Sequence, residues 1–357
     1  MKKMRAEAEK TLREGAVIPA IPLALNENRK FDEKRQRALV RYYLDAGAGG
    51  IAVAVHTTQF AIRRPEVNLF GAVVQTVMDE IESFELKSKK TIVKIVGACG
   101  KTEQAVSEAR FAESLGADAV LLSPGGIGDL DEGQVIGRTE IVAGVMPVVG
   151  FYLQPAAGGR VFSAGYWKRL ADIDGVAAIK CAPFNRYQTV ELVRGACLSE
   201  RRDEVALYTG NDDNILVDLL TKFEVDIDGK KVEKRFVGGL LGHWAVWTKT
   251  AVGLLEKIKK IRDVGAIPPE LLTLAAKITD ANSAIFDAAN GYAGCIPGVH
   301  EVLRRQGLLE GIWCVDPGET LSPGQYEEIS RVYADYPELN DDGFVESHLN
   351  EWLGKRT

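Results

Sequence analysis

What most restricts this chain is a rhythm. Short apolar runs rich in β-branched residues recur at 16–23, 50–55, 91–96, 117–122, 147–152, 176–179, 205–208 and 235–241. Between them stand segments of helical periodicity, such as 33–46, 102–115 and 211–223. A strand followed by a helix returns to the same sheet by a right-handed crossover, so successive strands lie parallel and helices cover them. Eight such units predict a sheet closed on itself, a (β/α)8 TIM barrel of the α/β class. A doubly wound sheet is the poorer fit, because no Gly-x-Gly-x-x-Gly turn follows the first run.

This rhythm sets the expected boundaries. A charged leader helix over 1–14 precedes a catalytic barrel over 15–262. Beyond that the alternation stops, and 268–290 and 322–336 read as helices with no strand between them. Residues 263–340 are therefore expected to form a C-terminal helical domain, and 341–357 a tail. The charged stretch 224–234, with Asp228-Gly229 at its centre, is predicted to be a surface hairpin or loop before the last barrel strand.

Charge and cysteine usage narrow the partners. With 44 Lys and Arg against 50 Asp and Glu, the net charge is −6, without the basic excess that binding to a phosphate backbone uses. No nucleic-acid partner is expected. No apolar run is long enough to span a membrane, and the charged N-terminus lacks the apolar core of a signal peptide, so a cytoplasmic location is expected. Cys99, Cys181, Cys197, Cys295 and Cys314 are odd in number and form no Cys-x-x-Cys pair, an argument against a disulfide framework or a zinc ribbon.

In a parallel barrel, chemistry gathers at the C-terminal ends of the strands. Lys180 closes the apolar run 175–179. An amine in such surroundings is a candidate Schiff-base nucleophile, because burial favours its neutral form. At the ordinary lysine pKa of about 10.4, only ~0.04% of the amine is neutral at pH 7. After the second run comes His56-Thr57-Thr58-Gln59-Phe60, whose paired hydroxyls and backbone amides suit a carboxylate. The fifth run ends in Tyr152, a phenol able to carry a proton at a barrel mouth. His56 and His243, with Asp212 and Asp213, raise the question of a metal. No His-x-His or His-Glu-x-x-His spacing supports one, and none is expected. Residues 97–102 imitate a phosphate loop but have Ile95 where its first glycine is needed. Pro124-Gly125-Gly126-Ile127-Gly128 allows close backbone approach to a ligand.

Taken in order, these segments resemble the dihydrodipicolinate synthase and N-acetylneuraminate lyase superfamily over roughly residues 16–337. The resemblance rests on Ile18-Pro19-Ala20, on residues 45–51 leading to the threonine pair, and on Tyr152-x-x-Pro155. It also rests on Ile179-Lys180, Gly210-Asn211-Asp212, Ile296-Pro297-Gly298 and Leu321-Ser322-Pro323. It implies a class I aldolase or lyase in which Lys180 condenses with the keto group of pyruvate or another 2-keto acid. Tyr152 would be the acid and base, Thr57 its proton relay, and Thr58 the carboxylate site. His56, Gly126, Gly210, Leu241 and His243 would line the substrate pocket. No cofactor is implied beyond the covalent imine, and a homo-oligomer, dimer or tetramer, is.

The chain also departs from the family. The pattern Gly-Thr-Thr-Gly-Glu is here His56-Thr57-Thr58-Gln59-Phe60. Gly125 and Gly126 stand where the lysine-biosynthesis enzyme has a second tyrosine, and the expected arginine is displaced to Arg160. The expected activity is thus a Schiff-base aldolase or dehydratase taking a 2-keto acid and a bulkier or more apolar aldehyde, with His56, His243 and Trp244 beside the acceptor. The alternatives are a barrel that binds a keto acid without turnover and a metal-dependent barrel enzyme.

Overall fold

The apolar runs form one eight-stranded parallel sheet. Its strands are β1 (Val17–Pro19), β2 (Gly50–Val53), β3 (Val93–Ala98), β4 (Ala119–Leu122), β5 (Val148–Leu153), β6 (Val176–Ala182), β7 (Ala206–Thr209) and, last in the barrel, β10 (Phe236–Leu241). The computed structural model describes residues 3–354. The first two residues of the expected leader and the last three of the expected tail lie outside the described residues. From β2 to β7 each strand pairs with the next, and β10 pairs with both β7 and β1. An Ala20–Ala52 bridge, with the Ile21 N–H donating to the Ala52 carbonyl at 2.9 Å, draws β1 to β2 and completes the ring. The protein is a (β/α)8 barrel with C-terminal helices.

Side chains alternate across the strands. Ile18, Ile95, Leu121, Val149, Phe151 and Ala178 fill the barrel interior. Val96, Val148, Tyr152, Ile179 and Leu207 face the helix layer. Helix starts follow local chemistry. Asp32 caps α2 (Glu33–Ala46), Asp131 and Gln134 form a capping box on α5 (Glu132–Ala143), Ser163 caps α6 (Ala164–Asp172) and Asn185 caps α7 (Arg186–Cys197). The leader helix α1 (Ala6–Glu14) closes the bottom of the barrel. Ala8 and Leu12 enter the interior cluster, and the Tyr208 hydroxyl donates to the Leu12 carbonyl at 2.8 Å.

Phe223–Ile227 (β8) and Lys230–Lys234 (β9) form an antiparallel hairpin through Asp228 and Gly229, both at positive φ as its tight turn requires. The helix expected over 211–223 contracts to α8 (Ile215–Leu220), because Asn211 and Asn214 are used by the turn before it.

After α9 (Thr248–Ile261) come α10 (Glu270–Ile285), α11 (Cys295–Arg305) and α12 (Gln325–Asp335). The helix over 295–305 lies between the two expected at 268–290 and 322–336 and adds to them. Pro297 falls in the first turn, where its missing N–H has no intrahelical partner. Gly298 lets α11 press against α10, for a Cβ there would stand 1.9 Å from the Ile285 carbonyl oxygen. Within the segment set apart as a tail, α13 (Asp342–Trp352) docks on α2, the Trp352 indole donating to Asp45 at 2.7 Å. Among the described residues, no helix is long and apolar enough to cross a membrane.

Candidate active site

Lys180 lies within β6 rather than after it, because the strand continues to Ala182. It is in register with Phe151 of β5 and Tyr208 of β7, on the inward-facing set. The side chain is only 7% exposed. Its Nζ stands 4.5 Å from the Phe151 ring centroid and makes no ion pair or hydrogen bond with any described residue. Gly210, at the end of β7, gives it room: a Cβ there would come 2.6 Å from the lysine Cε.

Asp212 is the electrostatic counterpart of Lys180. Burial pushes the Lys180 ammonium below the usual lysine range, and the Asp212 charge opposes that shift. Burial raises the Asp212 carboxyl, while the His243 backbone N–H, donating at 2.8 Å, and the Lys180 charge hold it down. The turn carrying Asp212 is pinned from below. Buried Asp218 accepts from Thr209 at 2.7 Å and from Asn211 at 2.8 Å, and pairs with Arg186.

These groups open into one cavity of about 200 Å³ at the barrel mouth. Its walls include Lys180, His56, Thr57, Gly210, Asp212, Phe151, Phe184, Tyr292 and Cys295. His56 comes from a short 3-10 turn after β2. Burial and the nearby Lys180 charge lower its pKa to about 4, so at neutral pH the imidazole is uncharged. Tyr292 and Cys295 come from the C-terminal extension, which covers the mouth.

Several sequence expectations change here. Tyr152 does not face the cavity. It lies in the helix-side core, 4.7 Å from Trp167 and 6.2 Å from Phe162 between ring centroids. Its hydroxyl has no hydrogen-bond partner among the described residues, and burial pushes its pKa up to about 12. The inward residue at this level is Phe151. Thr57 reaches the cavity, but its hydroxyl donates to the Ala20 carbonyl at 2.6 Å and cannot relay protons to an outward-facing Tyr152. Thr58 does not line the cavity, and its hydroxyl donates to the Ile21 carbonyl at 2.7 Å. The threonine pair therefore fastens the β2 turn to the chain leaving β1.

The remaining expected lining residues divide. His56 and Gly210 are in the cavity wall. Leu241 packs in the helix-side core, while its neighbour Leu240 faces in. His243 sits behind the wall, its ring beside the Asn282 amide at 3.3 Å, and supports Asp212 through its main chain. Trp244 is buried in the helix-side core. Gly126 belongs to a neighbouring cleft of about 670 Å³, walled by Phe60, Cys99, Gly100 and Gly158, which meets the first cavity at Ala157.

Sequence reading missed Phe151 and Tyr292, and weighed Asp212 only as a metal ligand. The β-strand period carried the signal for Phe151, since it and Lys180 share inward parity. Tyr292 had no local signal, because its approach depends on how the C-terminal helices pack. Among the described residues, no three His, Cys, Asp or Glu side chains converge on a point able to hold a metal ion.

No protein-family model matches the chain. Two curated relatives are 4-hydroxy-tetrahydrodipicolinate synthases. That of Chlorobium phaeobacteroides is 28% identical over 199 residues, 55% of this chain and 63% of the relative. That of Clostridium novyi is 25% identical over 190 residues, 52% of this chain and 59% of the relative. The matches thus span less than two thirds of the relatives' length. Among solved structures, YagE of E. coli K12, a prophage protein of the dihydrodipicolinic acid synthase family in complex with pyruvate, superposes with a TM-score of 0.71. It is 15% identical, with 91% of this chain and 98% of that one covered, and so shares the fold.

Proposed function

We propose that this divergent relative of the dihydrodipicolinate synthase and N-acetylneuraminate lyase superfamily is a class I aldolase or lyase that forms an imine through Lys180. The observation that carries the reading is an amine in the barrel mouth, shielded from water, with no ion pair to any described residue and facing a cavity of about 200 Å³. Its lowered pKa increases the neutral, nucleophilic fraction at physiological pH. The proposed substrate is pyruvate or another small 2-keto acid, with an aldehyde as the partner formed or consumed. The pyruvate complex of YagE supports that class.

In the first step the neutral amine adds to the keto carbon. A C–N bond forms, the carbonyl π pair moves to oxygen, and transfer of one proton from the nitrogen to that oxygen gives a neutral carbinolamine. Loss of water leaves an iminium whose positive nitrogen accepts electron density when a C–H or C–C bond at the adjacent carbon breaks. The uncharged His56 ring and the β2 turn share the cavity wall with the amine and are suited to orient the substrate carboxylate. Asp212, in the same wall, tunes the amine by its charge. We propose no cofactor, since the imine itself supplies the electron sink.

Borohydride reduction in the presence of pyruvate, followed by peptide mass analysis, tests this reading. A mass increase on the Lys180 peptide, absent in Lys180→Arg, is the expected result. No adduct, under conditions that trap a known pyruvate aldolase, overturns it for pyruvate. An adduct without turnover of any aldehyde or dehydration substrate would indicate a keto-acid-binding barrel instead.

A further inference from the structure

We propose that Tyr292, delivered by the C-terminal extension, is the general acid and base of the Lys180 chemistry, supplying to the cavity a phenol that β5 turns away from it. The inference rests on the Schiff-base reading above and adds to it the group that moves the protons.

Imine formation and enamine formation both need a proton carrier beside the amine. Neither β5 candidate supplies one: Phe151 faces Lys180 but has no hydroxyl, and the Tyr152 phenol is sealed among Phe162 and Trp167. Tyr292 is the tyrosine in the wall of the Lys180 cavity. Its ring packs edge-to-face on Phe184 at 5.6 Å, and its hydroxyl makes no hydrogen bond with any described residue. The phenol is therefore available to a ligand. Burial, together with the nearby Asp213, Asp212 and Cys295, holds the phenol above the usual tyrosine range.

The backbone that presents Tyr292 is costly and well braced. Asp287, Gly291 and Tyr292 all adopt positive φ, at 60°, 61° and 69°. For an aromatic residue this is strain, and it persists only when the surroundings hold it. Asp287 is the brace. Its buried carboxylate accepts from Asn290 at 2.7 Å, from the Gly294 N–H at 2.9 Å and from the Ser322 hydroxyl, while its carbonyl accepts the Tyr292 N–H at 2.9 Å. A single buried carboxylate thus fixes the loop that turns Tyr292 toward the barrel mouth.

The proton account closes. The phenol protonates the carbinolamine hydroxyl, which leaves as water while the nitrogen lone pair forms the C=N bond. The resulting phenolate takes a proton from the carbon next to the iminium, giving a neutral enamine and restoring the phenol. No other co-reactant is needed.

Pyruvate in deuterated water provides the probe, with loss of the methyl proton signal reporting enamine formation. For Tyr292→Phe we expect exchange to fall by about 10²–10⁴-fold, the usual contribution of general acid–base catalysis. The same variant should still yield the borohydride adduct on Lys180 at full stoichiometry after long incubation. Introducing Phe151→Tyr alongside Tyr292→Phe places a phenol on the inward face of β5 and should restore part of the exchange. Unchanged exchange in a folded Tyr292→Phe that still forms the adduct overturns the inference and leaves the Schiff-base reading intact. Failure of wild type to form the adduct overturns the reading itself.

Discussion

Phe151 and Lys180 are direct neighbours across β5 and β6, with the lysine nitrogen 4.5 Å from the centre of the phenylalanine ring. This contact identifies the inward face of both strands. It also places the neighbouring Tyr152 outside the barrel, since adjacent residues on a strand point to opposite faces.

Tyr152→Phe should accordingly be silent at the active site. Pyruvate trapping is expected within about twofold of wild type, and stability unchanged or slightly higher, because removing a buried hydroxyl that has no partner removes a desolvation cost. A large loss of trapping would show that this phenol acts in the reaction after all.

Gly210→Ala should damage both folding and chemistry. The added methyl would meet the Lys180 Cε at 2.6 Å and the Ala182 Cβ at 2.8 Å. Overpacking of this kind costs about 1–3 kcal/mol. Displacing the amine by about 1 Å can slow a reaction ~10²-fold. Denaturant unfolding and the initial rate of adduct formation report the two effects separately.

Asp212→Asn should move the pH dependence of trapping to lower pH. Attack requires the neutral amine, so the rate rises with pH through the Lys180 pKa. The Asp212 charge raises that pKa, and burial lowers it. Removing the charge leaves burial unopposed, so the midpoint falls. An upward shift in the initial-rate profile would contradict the assignment of Asp212 as the counterpart of Lys180.

His56 should not titrate in the physiological range. Burial and the Lys180 charge lower its pKa to about 4, so an NMR titration should find the imidazole neutral from about pH 5 upward, against an ordinary value near 6.5. His56→Asn keeps a neutral donor and is expected to weaken pyruvate binding without moving the pH midpoint. A histidine titrating near 6.5 at this position would refute the closed geometry around it.

Asp287→Ala should destabilise the C-terminal extension. It strips the acceptor from Asn290, Gly294 and Ser322, and puts alanine at a φ of 60°. Leaving a buried donor unsatisfied costs about 1–3 kcal/mol. A lower thermal midpoint, and faster proteolysis within residues 286–295, is the expected result.

Much of the architecture was legible along the chain because it is local. Alternating apolar runs and helical periods marked the eight barrel units, and Asp228-Gly229 marked the hairpin. Cap residues such as Asp32 and Asp131 mark helix starts in the same local way. Lys180 could be singled out because a long apolar lead-in to an amine is itself informative. What failed were inferences that needed the facing direction of single residues. Thr58, Leu241 and His243 all sit at strand ends, as expected, yet their side chains belong to the support behind the cavity.

The sequence by itself determined that the strands would lie parallel and that a lysine would stand near their C-terminal ends, because strand and helix periods are properties of consecutive residues. Tertiary structure decided which of Phe151 and Tyr152 meets that lysine. With a side-chain period of two, a one-residue difference in register exchanges the inside of a barrel for its outside. It also decided that Tyr292, 112 positions beyond Lys180 in the chain, would share the same cavity, through the packing of a helical extension that no local pattern encodes.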